Sequence, residues 1–237
     1  MTRTDLQVAR GRGTTAGARL ARLALGMALA ALALGAPTGG TAGPDATVLS
    51  LSPSDPAPVP PARYHAAMVW DSTNDRALVF GGTDRDHHNS LLAYDPETER
   101  WSRISAKNPP PSRVSPTAVW DPVREGMIVF SGLGPEPGDS LSNDVFVYDP
   151  GENRWSHPTS IGRAPSPRDM SAAVWDTANE RMLVFGGSDG GFHDNVNDLW
   201  SYDPADGTWT ELRPQGPAPG PRHDHIAVWD GTPFANG

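Results

Sequence analysis

Three observations predict an all-β chain built from a repeated four-stranded antiparallel unit. The first is a lattice of residues: Arg63, Arg113, Arg168 and Arg222 each stand seven positions before Trp70, Trp120, Trp175 and Trp229. Ten residues after the first three Trp come Phe80, Phe130 and Phe185, then Gly81-Gly82, Ser131-Gly132 and Gly186-Gly187. Tyr94, Tyr148 and Tyr202 follow, each opening Tyr-Asp-Pro, with Trp101, Trp155 and Trp209 seven further on. The second observation is that the residues between these marks form short runs rich in Val, Leu and aromatics, bounded by Asp, Asn, Gly and Pro, as strands of a meander are. The third is that 25 Gly and 25 Pro in 237 residues exceed ordinary usage and demand frequent turns.

The elements follow in chain order. Residues 1–42 carry Arg3, Arg10, Arg12, Arg19 and Arg22 ahead of the apolar run "LALGMALAALALGA" (23–36), and then small residues. This is the layout of a secretory signal peptide, with cleavage expected after Ala42. The run is too short to span a bilayer comfortably, so no membrane association is expected after cleavage. Cleavage removes five Arg and one Asp and takes the formal net charge from −9 to −13. So acidic a chain is unsuited to nucleic acid, whose affinity comes from cationic contacts to phosphate. No cysteine is present, so packing and not disulfides must hold the exported chain together.

Residues 43–62 contain "ATVLSLS" (46–52), an outer strand without its sheet, and a Pro-rich linker. Full units are expected over 63–105, 113–158 and 168–213, and a fourth begins over 222–237. In the third unit the strands read "MSAAVW" (170–175), "RMLVFG" (181–186), "DLWSYD" (198–203) and "TWTEL" (208–212). The glycine pairs supply backbone freedom where units approach closely. Asn89, Asn143 and Asn197 are expected to tie down the lead-in to the third strand. Tyr and Trp of the outer strands are expected to fill the wedge between units.

A period near fifty residues with these marks resembles the kelch repeat, a four-stranded propeller blade, over residues 60–229. The resemblance implies a partial kelch-type β-propeller: three full antiparallel blades with orphan strands at both ends, the last being "DHIAVW" (224–229). Closed propellers of this kind have four to eight blades, so a truncated member with exposed blade faces is expected.

In such propellers the loops leading into the first strand and those joining the second to the third share one face, where ligands commonly bind. That face would gather Arg63, Arg113, Arg168, Arg222 and His225, and a ring of Arg can hold a carboxylate bidentately. The same recurrence is what a structural Arg paired with a nearby Asp or carbonyl would produce, and that reading comes first. The His-rich stretches 84–88, 192–195 and 222–225 share no ligand spacing, so no metal is expected. The loop "SDGGFHDNVND" (188–198) lacks the ligand alternation and closing Glu of a calcium loop. The resemblance also leads to galactose oxidase, but its copper site needs a cysteine-linked tyrosine that this chain cannot form; no cofactor is expected. The functional expectation is an exported, non-catalytic module binding a protein or a glycan. The alternative is a fragment of a carbohydrate-active propeller enzyme, a sugar epimerase or an oxidase relative, whose active-site blades are missing.

Overall fold

The computed structural model describes residues 60–135, 140–190 and 194–231, all within the compact unit Ser52–Gly237. The expected signal peptide and the outer strand over 46–52 lie outside the described residues. Three antiparallel meanders are present. The first comprises β1 (Tyr64–Asp71), β2 (Arg76–Thr83), β3 (Leu91–Asp95) and β4 (Arg100–Ile104). The second comprises β5 (Thr117–Asp121), β6 (Gly126–Leu133), β7 (Leu141–Asp149) and β8 (Arg154–Ser156). The third comprises β9 (Ala172–Asp176), β10 (Arg181–Phe185), β11 (Leu199–Asp203) and β12 (Thr208–Leu212). Among the described residues no helix is long and apolar enough to cross a membrane.

Local chemistry shapes each hairpin. Each first strand closes with a Trp and then a buried Asp: Asp71, Asp121 or Asp176. Asp71 accepts from the Asn74 backbone at 3.1 Å and from Arg76 Nε at 2.8 Å; Asp176 accepts from the Asn179 backbone at 3.2 Å and from Arg181 Nε at 3.0 Å. These bonds satisfy turn amides that would otherwise lack partners, the use Asx turns make of Asp. Burial pushes the Asp176 carboxyl up, but the hydrogen bonds from Asn179 and Arg181 outweigh it and leave it below the ordinary carboxylate value.

The sheets stack through two aromatic cores. Trp155 of β8 lies 4.9 Å from Phe80 of β2, and Trp209 of β12 lies 4.8 Å from Phe130 of β6. Each Trp also leans on its own Tyr, at 5.3 Å for Tyr148 and 5.0 Å for Tyr202. The outer-strand Trp therefore wedges between neighbouring blades, as the sequence predicts. Among the described residues no sheet precedes the first, and there Trp70 is 48% exposed where its equivalents Trp120 and Trp175 are 9% exposed.

The Asn positions do tie down the lead-in to the third strand through side-chain-to-backbone bonds, and the partner is the following loop. Asn143 Nδ2 donates to Pro165 O at 2.9 Å and Asn197 Nδ2 to Pro219 O at 3.1 Å, each in the loop that leads to the next repeat. Asn89 makes the same bond to Pro110 O at 3.4 Å. The side chain clips a connecting loop that has few amide donors of its own because of its prolines.

The strand expected over 224–229 is not formed. Among the described residues no strand pairs with this segment, Ile226 and Val228 are 89% and 84% exposed, and Trp229 Nε1 donates to Thr177 Oγ1 at 3.1 Å. A strand needs a neighbour for its amides and carbonyls. The lead-in does dock as in the earlier repeats: Gly187 N donates to Arg222 O at 2.9 Å, as Gly82 N does to Arg113 O at 2.8 Å and Gly132 N to Arg168 O at 2.9 Å. Gly187 holds φ at 105°, and an added Cβ would meet Asp169 O at 2.6 Å. Gly187→Ala is therefore expected to cost more than about 1 kcal/mol in equilibrium unfolding; an unchanged midpoint would contradict this packing.

Candidate binding face

The inner strands β1, β5 and β9 neighbour one another, and the segments that lead into them converge at one end. Two residues after each repeat Arg, the chain adopts left-handed backbone at a residue other than glycine: His65 at φ 57°, Ser115 at 53°, Met170 at 54° and Asp224 at 52°. Such conformations are uncommon for these residue types. A run of hydrogen bonds between repeats accounts for them. Ser115 N donates to His65 O at 2.9 Å, Met170 N to Ser115 O at 3.2 Å, and Asp224 N to Met170 O at 3.1 Å. Ser115 Oγ also lies 2.7 Å from His65 Nδ1, a second tie between the first two lead-ins.

Against these segments lies a cavity of about 670 Å³ lined by residues of all three repeats, the third contributing its lead-in (Asp169, Met170) and the loop after β10 (Ser188, Gly190). Tyr64, Val114, Leu133 and Leu141 give it apolar sides, and Asp169 and Asp84 give it carboxylates. The backbone amides of Asp86 and Arg85 draw the Asp84 carboxyl down to about 2. Asp169 is 8% exposed, and its carboxyl is held above the ordinary value, first by burial and then by the charge of Asp224, with His223 and His65 pulling the other way.

None of the four repeat Arg lines this cavity. Arg168 is fully buried, with Nη1 2.7 Å and Nη2 2.9 Å from the two carboxylate oxygens of Asp198, and a further bond to Gly186 O at 3.0 Å. Arg113 is 3% exposed, donates to Asp144 Oδ2 at 3.0 Å and lies 5.1 Å from the Phe146 ring centroid. These two guanidiniums are engaged within their own blades. Arg63 donates to Gly81 O at 3.0 Å and Ser90 Oγ at 2.9 Å, and lines a separate hollow of about 310 Å³ beside Trp101. Burial lowers its pKa. Arg222 is exposed, with Nε donating to Gly220 O at 3.0 Å. The ring of His225 stands edge-on to Phe185 at 5.4 Å, and its pKa is lowered by burial and then by the Arg222 charge.

The repeat register puts Ser90 where Asp144 and Asp198 stand, one residue after the clipping Asn. Ser90→Asp would give Arg63 the carboxylate that its two counterparts have. A gain of about 1 kcal/mol in unfolding free energy is expected; a loss would show that the first blade is built around the hydroxyl.

The ring of left-handed residues escapes sequence reading because His, Ser, Met and Asp share no side-chain property. The capping Asp was findable: it follows Trp in all four repeats, at 71, 121, 176 and 230.

A family model described as the KLHDC2/KLHL20/DRC7 Kelch-repeats domain matches residues 49–234. Acyl-CoA-binding domain-containing protein 4 of Arabidopsis thaliana is 31% identical over 74% of this chain and 25% of its own length. Alpha-scruin of Limulus polyphemus is 32% identical over 61% of this chain and 16% of its own. The Rab9 effector protein with kelch motifs of Xenopus laevis is 30% identical over 68% of this chain and 44% of its own. The chain thus spans less than half the length of each of these relatives.

Proposed function

The chain belongs to the kelch-repeat family, and from that premise we propose that it is a non-catalytic module that recognises a protein partner through the face where its three lead-in segments converge, acting outside the cytoplasm. One observation carries the reading: the cavity on that face is lined by residues of all three repeats, the third through its lead-in and the loop after β10, so it exists only when the blades are assembled. The strained residues His65, Ser115 and Met170 sit at its edge, and strain of this kind gathers where a surface must hold one shape. One relative bears the name of a Rab9 effector, a name that describes work through another protein. Export rests on the layout of residues 1–42.

Panning the full chain against a displayed peptide library, alongside a glycan array, tests the reading. A peptide ligand is expected, and Tyr64→Ala on the face should weaken it about tenfold, as loss of an interface aromatic does. Val123→Ala, exposed in the turn between β5 and β6, should leave binding unchanged. Binding confined to glycans, or equal sensitivity to both substitutions, would overturn the assignment. Export has its own check: the amino terminus of the protein recovered from outside expressing cells is expected at Gly43, and retention with residues 1–42 intact would refute it.

A further inference from the structure

The recognition face carries an inversion of charge. Its repeat Arg residues are buried, paired or turned to other hollows, whereas the cavity presents carboxylates. Asp169 forms part of the lining, and among the described residues no other residue's N–H or O–H donates a hydrogen bond to its carboxylate. Its backbone is pinned by paired bonds to Ser188, Asp169 N to Ser188 O and Ser188 N to Asp169 O, both at 3.0 Å. These bonds fix the backbone from which the side chain projects. An ionised carboxylate that is largely buried, has no donor beyond its own amide and stands near Asp224 is costly, and the nearby His223 and His65 offset this only in part. A cation brought alongside it would relieve both burdens.

The shape of the cavity narrows the choice of cation. A small hydrated ion would want oxygen ligands on several sides, and among the described residues no group of three or more His, Asp or Glu side chains is placed to hold a metal. Val114, Leu133 and Leu141 instead give the cavity that Asp169 lines an apolar wall, the kind of sleeve an aliphatic chain can lie along. Long basic side chains match such a sleeve, because they lay an aliphatic stem along apolar surface and carry the charge at the tip. Tyr64 and His65, edge to face at 5.1 Å, stand at the same cavity, where an aromatic ring can meet a cation. Arg85 is the arginine in the lining, and it stands between Asp84 and Asp86 in the sequence.

We propose that this cavity receives the lysine or arginine side chain of a partner protein, with the Asp169 carboxylate as its counter-charge and the Val114, Leu133 and Leu141 side chains around its stem. This rests on the reading of the converging loops as the recognition face.

The test is fluorescence anisotropy of the full chain with labelled, capped five-residue peptides, Gly-Ser-Xaa-Ser-Gly, in which Xaa is lysine, norleucine or glutamate. The lysine peptide is expected to bind about tenfold more tightly than the norleucine peptide, which keeps the stem without the charge, and the glutamate peptide least of all. Asp169→Asn, which conserves shape, should abolish the lysine preference and leave norleucine binding unchanged. Raising the salt should weaken the lysine peptide alone. Equal binding of lysine and norleucine peptides by the unaltered protein overturns the proposal without relying on any variant. Tighter binding of free 1,5-diaminopentane than of the lysine peptide overturns a protein as the source of the cation. Should a displayed peptide ligand be lost with Tyr64→Ala while lysine shows no advantage, the basic-residue assignment falls and the face stands. Should the ligand be indifferent to Tyr64, the face itself falls.

Discussion

Trp155→Ala and Trp209→Ala are each expected to remove about 3–5 kcal/mol of stability, the range for truncating a buried Trp. Trp155 is 1% exposed and Trp209 3% exposed, and each is held between its own Tyr and the Phe of the preceding blade. Truncation loses the transfer free energy and leaves a cavity that rigid strands on both sides cannot close. Trp101 occupies the same repeat position, leans on Tyr94 at 5.1 Å, and is only half-buried. Trp101→Ala should therefore cost distinctly less. Denaturant unfolding of the three variants provides the comparison, read as a shift in midpoint at constant slope. Equal losses at all three positions would mean that stability resides within blades and not between them. In a repeat protein each unit touches only its neighbours, so the two severe variants should weaken different junctions.

Removing the Arg168 guanidinium is the second large effect. Arg168→Met is expected to cost about 3–5 kcal/mol, because it leaves the Asp198 carboxylate half-buried without its cation. Asp198 also accepts from Trp200 Nε1 at 2.6 Å, so Arg168→Met combined with Asp198→Asn, which keeps an acceptor for that indole, should recover much of the loss. The same substitution at Arg63, whose side-chain partner is the Ser90 hydroxyl, should be milder. Burial raises the Asp198 carboxyl, but the hydrogen bonds from Arg168 and Trp200 and the Arg168 charge prevail, and its pKa lies below the ordinary value. A lowered folded-state value means that the pair's contribution is complete above the unfolded carboxylate range, near pH ~3.9, and disappears as pH falls through the folded value. The double variant should lose this acid-side dependence. An unchanged acid limb would deny the pair its role.

The Arg residues show how far residue patterns reach. Their recurrence fixed where each blade begins, and the structural reading of that recurrence needed only a nearby Asp, which Asp144 and Asp198 provide. That Arg63 lacks the carboxylate partner of Arg113 and Arg168 was also legible, since Ser90 stands in the same register. The cavity was not, because Asp169 is flanked by unlike residues at the equivalent places: Tyr64, Val114 and His223. A carboxylate draws notice in sequence when it recurs or pairs at a known spacing, and this one does neither.

By itself the sequence determined the period, the four-stranded unit, the turns capped by Asp and the aromatic wedge. Each of these rests on local backbone preference or on side-chain size, which residue letters carry directly. Tertiary structure alone decided that the Asn clips reach into the following loop, that residues 224–229 form no strand, and that the cavity beside the converging lead-ins is lined by Asp169 and by none of the repeat Arg. The convergence of the lead-ins depends on backbone hydrogen bonds between repeats, such as Ser115 N to His65 O and Met170 N to Ser115 O. Every residue brings the same amide and carbonyl to such a bond, so no letter announces it.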